Sequence, residues 1–243
     1  MLVPFRMTTA LYTEGDYARL NPSWHVEDSP WKARQIAGLL ADHTLAPHSV
    51  CEVGCGAGAV LAALQPALPH TRFVGYDVSP DAIAIARPRS NEMLSFVQGS
   101  PIPAEPFDLM LAIDVIEHIE DYFGFLRAIA PQARRHIFHI PLEMHVSAVA
   151  RVAPLIAARR GVGHLHYFSR EIALAALRET GYAVIAERFT HGGAELQQKR
   201  LRARLAALPR AVAGAISPGL AARWLGGFSL LVLATADRSL APA

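Results

Sequence analysis

The chain lacks what would mark it as secreted, disulfide-built or membrane-spanning. Its 243 residues hold two cysteines, Cys51 and Cys55, with no partner pair elsewhere. That excludes the usual zinc spacing and a disulfide framework, and a reduced cytoplasmic setting is expected. No apolar run approaches the ~20 residues a membrane span needs. The first ten residues carry an arginine but no long apolar core and no cleavage pattern, so they read as no secretory signal. Lysine is confined to Lys32 and Lys199, and a net charge of +2 gives no sign of a polyanionic partner. Internal repeats and low-complexity segments are absent too. With 52% hydrophobic and 18% charged residues, the chain can bury a sizeable core as one domain with embellishments.

The stretch Val50 to Leu61 organises the rest. A short apolar strand, Ser49 to Val53, runs into Gly54, Gly56 and Gly58 and then into a helix. Alternate glycines permit positive φ and leave no Cβ between the chain and a ligand. Glu52 stands at the carboxyl end of that strand, where open α/β sheets bind ligands. Further strands are expected over Thr71 to Tyr76 (followed by Asp77), Leu94 to Gln98, Phe107 to Ile113, His136 to Ile140, Tyr182 to Phe189 and Phe228 to Ala236.

Helices are expected from Ser29, behind a capping Asp28, to about Asp42, and over Ala59 to Leu68. Others are expected from Ser79-Pro80 to about Arg87, over Val115 to Ala130 and Val146 to Arg160, and from Ser169 to Thr180. Such alternation implies a mostly parallel sheet with helices on both faces, closed by an antiparallel hairpin that carries a helical insert. In that insert Leu201, Leu205 and Leu208 share a helix face flanked by arginines, within a basic helix over 196–210. It suits either a lid or an anionic membrane surface.

Two ligand classes use a glycine loop after the first strand and an acid after the second. Dinucleotides favour Gly-x-Gly-x-x-Gly. Here the third glycine comes one position early, and Glu52 adds negative charge that suits a cationic amine or sulfonium with hydroxyls. An NAD(P)-dependent oxidoreductase would also want a Tyr-x-x-x-Lys pair, which the chain lacks.

Glu52-Val-Gly54-Cys-Gly56-Ala-Gly58 and Gly75-Tyr-Asp77-Val-Ser79 resemble the first two motifs of the class I S-adenosylmethionine-dependent methyltransferases. Phe107 to Asp121 resembles the fourth-strand motif of the small-molecule, ubiquinone-biosynthesis-like branch. The resemblance implies a Rossmann-like, doubly wound α/β fold, with a seven-stranded, mostly parallel sheet, an antiparallel last strand and helical lid insertions. It implies one domain: an arm and helix over 1–46, a cofactor-binding core over 47–141, and lid or acceptor insertions over 142–163 and 190–227. S-adenosyl-L-methionine is the implied cofactor, with Gly54, Gly56 and Gly58 under its methionine part and Asp77 on its ribose.

Glu52, Val78, Ile113 and His118 are expected beside them. The adenine contact falls to Gln98 or Ser100, since Ser100 stands where the family usually has an acid. Ser29-Pro30-Trp31-Lys32 resembles an Asn-Pro-x-Arg element that meets the cofactor carboxylate; Lys32 is then its cationic partner, or else a solvated helix residue. Tyr12, Tyr17 and Trp24 are either a lid or aromatic pins.

Asp114, Glu117, His118 and Asp121 fall at i, i+3, i+4 and i+7, so one helix face could carry four metal ligands. They are read instead as a helix start beside the cofactor, with no metal. For a base, His118, His145, His164 and His166 stand near the carboxyl ends of strands, and His145 with His164 is the preferred pair; His139 reads as a core group.

Methyl transfer from a sulfonium chiefly needs alignment of acceptor and methyl group. The acceptor is expected to be a small molecule, lipophilic or glycosylated, with oxygen the favoured atom. Ile113-Asp114-Val115-Ile116 stands where base-amine methylation would want an Asn/Asp-Pro-Pro-aromatic motif, so no nucleic-acid partner is expected. The alternative of another class is a non-catalytic adenosylmethionine-binding regulatory or assembly protein. Oligomeric state cannot be read from these residues.

Overall fold

The computed structural model describes residues 16–99, 106–191 and 216–237. Tyr12, Ser100 and the basic helix over 196–210 lie outside the described residues. The helices are α1 (Asp16–Leu20), α2 (Ser29–Asp42), α3 (Ala59–Leu64), α4 (Pro80–Ala86), α5 (Tyr122–Ile129), α6 (Val146–Arg151), α7 (Ala153–Gly161), α8 (Arg170–Glu179) and α9 (Pro218–Trp224). The strands are β1 (Ser49–Val53), β2 (Arg72–Asp77), β3 (Leu94–Gln98), β4 (Phe107–Ile113), β5 (Ala133–Pro141), β6 (Tyr182–Thr190) and β7 (Ser229–Ala236).

They form one seven-stranded sheet in the order β3-β2-β1-β4-β5-β7-β6. Only β7 runs antiparallel to its neighbours, β5 and β6. This is the expected doubly wound α/β architecture with its closing hairpin. The strand order reverses between β1 and β4, so their carboxyl ends open a crevice.

Period-two alternation builds a core on each face. On β4, Met110 and Ala112 join a cluster with Phe125 and Leu126 of α5 and Leu174 and Leu177 of α8. Leu109, Leu111 and Ile113 point the other way, onto Ile36, Leu39 and Leu40 of α2 and Leu61 and Leu64 of α3. Each such side chain contributes about 1.5–3 kcal/mol by leaving water.

Four local expectations are corrected. The segment after β4 is not one helix from Val115: Asp114 turns at φ 54, Ile116–His118 is a single 3₁₀ turn, and Ile119 is extended. Its β-branched residues favour that extended path, and Asp121 starts α5 separately by accepting from Gly124 N at 2.8 Å. The four acidic and imidazole positions therefore do not share a helix face. The stretch Val146 to Arg160 is two helices broken at Val152, because Pro154 lacks the N–H and the space a continuous helix needs. Helix α3 ends at Leu64 in a 3₁₀ turn over Gln65–Ala67 at Pro66. Asp28 makes no side-chain cap; a 3₁₀ turn over Val26–Asp28 leads into α2 instead. Ser79 and Ser169 do cap, accepting from Ala82 N and Ile172 N at 3.3 Å each.

His136 on β5 is fully buried between Phe138 and Tyr182, and its Nε2 donates to Ile129 O at 3.1 Å. Burial lowers its pKa from 6.5 to about 4. Between those values the unfolded chain binds a proton that the folded one refuses. Stability should therefore fall as pH drops from about 6.5 towards 4, by about 1.4 kcal/mol per pH unit for this group. Urea unfolding of His136→Phe against wild type should show a shallower acid slope by that amount.

Candidate functional site

The glycine loop is tied to the carboxyl end of β2. Gly54 N and Cys55 N donate to Tyr76 O at 2.8 and 3.0 Å, and Gly56 N donates to Asp77 Oδ2 at 2.8 Å. Asp77 Oδ1 accepts from Ser79 N at 2.8 Å. All three glycines have positive φ, yet they do different work. A Cβ on Gly58 would fall 2.4 Å from the Phe96 ring, and one on Gly54 2.7 Å from Val115. A Cβ on Gly56 would meet only the Trp24 ring at 3.7 Å. Gly56 is thus the glycine over which the space is open.

That space belongs to a cavity of about 310 Å³ at the β1/β4 crevice, near the lower bound for small-molecule sites. Lys32, Glu52, Gly54, Gly56, Asp77, Ile113, His118 and His164 line it, with Trp24 and Tyr17 on the arm side. Trp24 and His25 take left-handed φ values of 49 and 54, and Trp24 stacks obliquely on Tyr17 at 5.0 Å. Gly58, Val78, Gln98 and His145 do not line it. Gln98 is exposed at the end of β3. His145 Nδ1 meets Ser147 Oγ at 2.9 Å, and its ring sits where a Cβ on Gly226 would go. His166 Nε2 bonds the Ile119 and Glu120 carbonyls, a structural tie.

Charge in the cavity is unequal. Among the described residues, five carboxyl groups, of Asp28, Glu52, Asp77, Asp114 and Glu117, line it against one ammonium, Lys32. Lys32 Nζ lies 2.7 Å from Asp114 Oδ2. Asp114 Oδ1 meets His139 Nδ1 at 2.6 Å, and His139 Nε2 meets Thr190 Oγ1 at 3.0 Å. His139 is accordingly a satisfied core group. Burial pushes the Asp114 carboxyl up, but Lys32 and His139 outweigh it and hold it well below the usual range. Burial pushes the Lys32 ammonium down, and Asp114 more than restores it.

Glu52 is different: its Oε2 is buried with no hydrogen-bond partner among the described residues, and burial raises its pKa to about 8. Asp77 is raised by burial against its backbone donors. An orphaned carboxylate oxygen, a bare Gly56 and an acid with unused lone pairs fit a ligand carrying an ammonium and hydroxyl groups.

At the other end Glu117, His118 and His164 converge. His118 Nδ1 meets Gly163 O at 3.3 Å, His164 Nδ1 meets Glu143 Oε2 at 2.6 Å, and the two rings meet edge to face at 4.7 Å. Leu165 N and His166 N donate to Glu117 O at 2.7 and 3.1 Å, docking this distant segment on the 3₁₀ turn. Burial lowers the His118 pKa to about 4, with His164 adding to the shift, and raises Glu117 well above its ordinary value. Sequence reasoning missed Glu143, a loop residue with no motif around it. It also missed the Lys32–Asp114 pair, whose members lie in separate motifs.

A family model described as "Methyltransferase domain" matches residues 27–187. A release factor glutamine methyltransferase of Geobacter sulfurreducens is 32% identical over 99 residues, which is 37% of this chain. The match spans 34% of that relative's length. Among solved structures, magnesium protoporphyrin IX methyltransferase of Synechocystis PCC 6803 with bound SAH has a TM-score of 0.61 at 15% identity, covering 94% of this chain and 97% of that one. A chain from the complex of the Haloferax volcanii Trm112 methyltransferase activator with a methyltransferase has 0.62 at 18% identity, covering 93% and 96%. At such identities these structures establish a shared fold.

The raised Glu52 carboxyl has a stability consequence. The folded chain keeps a proton there that the unfolded chain releases above about 4.5. Stability from this group is full below that pH and is lost as pH rises towards about 8. In Glu52→Gln the alkaline part of that loss should vanish; thermal melts of both proteins at pH 6 and pH 8 check it.

Proposed function

We propose that this chain, which belongs to the methyltransferase-domain family, transfers the methyl group of S-adenosylmethionine to an oxygen of a small lipophilic or glycosylated acceptor. Family membership carries the S-adenosylmethionine-dependent methyltransferase activity and does not favour the oxidoreductase or non-catalytic readings. The cofactor supplies a methyl group already activated on a sulfonium. The residues of the chain therefore have to hold the reactants in line, an effect worth up to about 7–11 kcal/mol.

Residue roles follow from the cavity. Asp77 takes the ribose hydroxyls on the lone pairs that Gly56 N and Ser79 N leave unused. Glu52 takes the ammonium of the methionine part, with Gly54 and Gly56 beneath it. Lys32 serves less as a direct carboxylate partner than as the counter-charge that keeps Asp114 ionised. Gly58 acts through packing on Phe96.

The observation that carries the oxygen reading is the wall of Glu117, His118 and His164 at the far end of the cavity. A hydroxyl must lose its proton as the methyl group arrives, and the His164 imidazole, with Glu143 on its Nδ1, meets that need. His164 faces the acceptor, and Glu143 positions its ring. The likeness to the small-molecule, ubiquinone-biosynthesis-like branch supports the same acceptor class. Exposed Val149 and Val152 on α6 and at the α6/α7 break, and Ile156 on α7, support a lipophilic one. These helices approach the cavity through Val162. No helix among the described residues is long and apolar enough to cross a membrane, and peripheral contact would serve an amphiphilic substrate.

Two experiments test these assignments. Asp77→Ala should weaken S-adenosylhomocysteine binding at least tenfold in calorimetry; a change within twofold removes Asp77 from the ribose. Labelled-methyl transfer into host extracts, read by mass spectrometry, should place the label on an oxygen of a small molecule, and His164→Gln should lower kcat at least tenfold. Label on nitrogen, or in the protein fraction as the name of the Geobacter relative would suggest, would overturn the acceptor.

A further inference from the structure

We propose that Glu117, His118 and His164 hold a divalent metal cation of the borderline class that accepts imidazole and carboxylate together. One ligand atom from each lies within 4.8 Å of the others. Bonds of about 2.0–2.2 Å to a common ion place ligands about 3–3.5 Å apart, which side-chain rotation reaches from here.

Glu117 is fully buried, and neither of its carboxylate oxygens has a hydrogen-bond partner among the described residues. A buried carboxylate in that state is costly unless a cation meets it. Both imidazoles are presented as metal ligands are. His118 directs Nδ1 to the Gly163 carbonyl, and His164 directs Nδ1 to the Glu143 carboxylate. Each bond puts the ring proton on Nδ1 and the lone pair on Nε2, and carboxylate-backed histidine is the common second layer of such sites. The surplus of carboxyl groups in the cavity favours a cation of charge two.

The set is assembled by folding. Glu117 and His118 come from the 3₁₀ turn after β4, and His164 comes from the segment that docks on the Glu117 carbonyl.

What the ion would do rests on the oxygen-acceptor reading. Three protein ligands leave open positions, and a hydroxyl bound there becomes more acidic. Its proton leaves to water. The oxygen then forms the new O–C bond as the S–C bond breaks with its electron pair on sulfur. His164 would act here through the ion, with its lone pair engaged.

Cobalt(II) titration of metal-stripped, full-length protein tests the site without any acceptor. One equivalent should bind with a visible absorption band and raise the melting temperature. Glu117→Gln and His164→Gln should each weaken binding at least tenfold; if Glu117→Gln does not fold, His164→Gln carries the comparison. Uptake below half an equivalent by wild type that binds S-adenosylhomocysteine, or undiminished binding in the folded variants, would overturn the proposal. A nitrogen-methylated product would sink the oxygen reading and leave this titration standing.

Discussion

The carboxylate of Asp114 is the interaction on which the site depends. It sits where β4 ends, in a left-handed turn at φ 54, with Lys32 of α2 on one oxygen and His139 of β5 on the other. Its own N–H donates to the His139 carbonyl at 2.9 Å. Three elements are thereby tied at the point where strand order reverses. The pair is largely buried, with 15% of the Lys32 side chain and 28% of the Asp114 side chain exposed. Removing one partner therefore costs less than the about 3–5 kcal/mol of a fully buried pair, but leaves a charge facing the cavity. The turn also directs the residues after it. Val115 packs against Gly54, and Glu117 and His118 swing round to the cavity wall.

Around that anchor the cavity stores carboxyl groups beyond what its own cation balances. Asp114 is held ionised, whereas Glu52 and Glu117 have pKa values raised by burial. In the reading proposed above, Glu52 would meet the ammonium of the cofactor and Glu117 the proposed metal ion. Arrival of a cation would draw out the retained proton, so binding at either end is linked to pH.

The fold itself leaves the acceptor undecided. A doubly wound sheet brings ligands to the carboxyl ends of its strands whatever they are. In the reading proposed above, specificity resides in parts attached to that frame: the arm with Trp24, the broken helix pair α6 and α7, and the segment carrying His164. Two of these parts hold non-glycine residues at positive φ, Trp24 and His25 in the arm and Val152 at the helix break. Non-glycine residues in that region persist only where surrounding contacts hold them, which is common at binding sites.

By itself the amino-acid sequence determined the sheet, its closing hairpin and the glycine loop with its two neighbouring acids. Those features are written in short local signals: period-two apolar runs, glycines at alternate positions, and an acid at the end of each of two adjacent strands. It also marked His118 and His164 as candidates and showed that Glu117 and His118 adjoin. Only the tertiary structure decided which candidates meet. It left His145 out of the cavity that His164 lines, gave Gly58 to the Phe96 ring, joined Lys32 to Asp114, and backed His164 with Glu143. The reason is physical. A helix read from Val115 onward would have kept four ligand positions on one face, but Asp114 is captured by Lys32 and His139 and Asp121 by its own cap. The backbone between them bends to serve both, and contacts made across 46 residues of chain, as between Glu120 and His166, leave no periodic trace in the residues themselves.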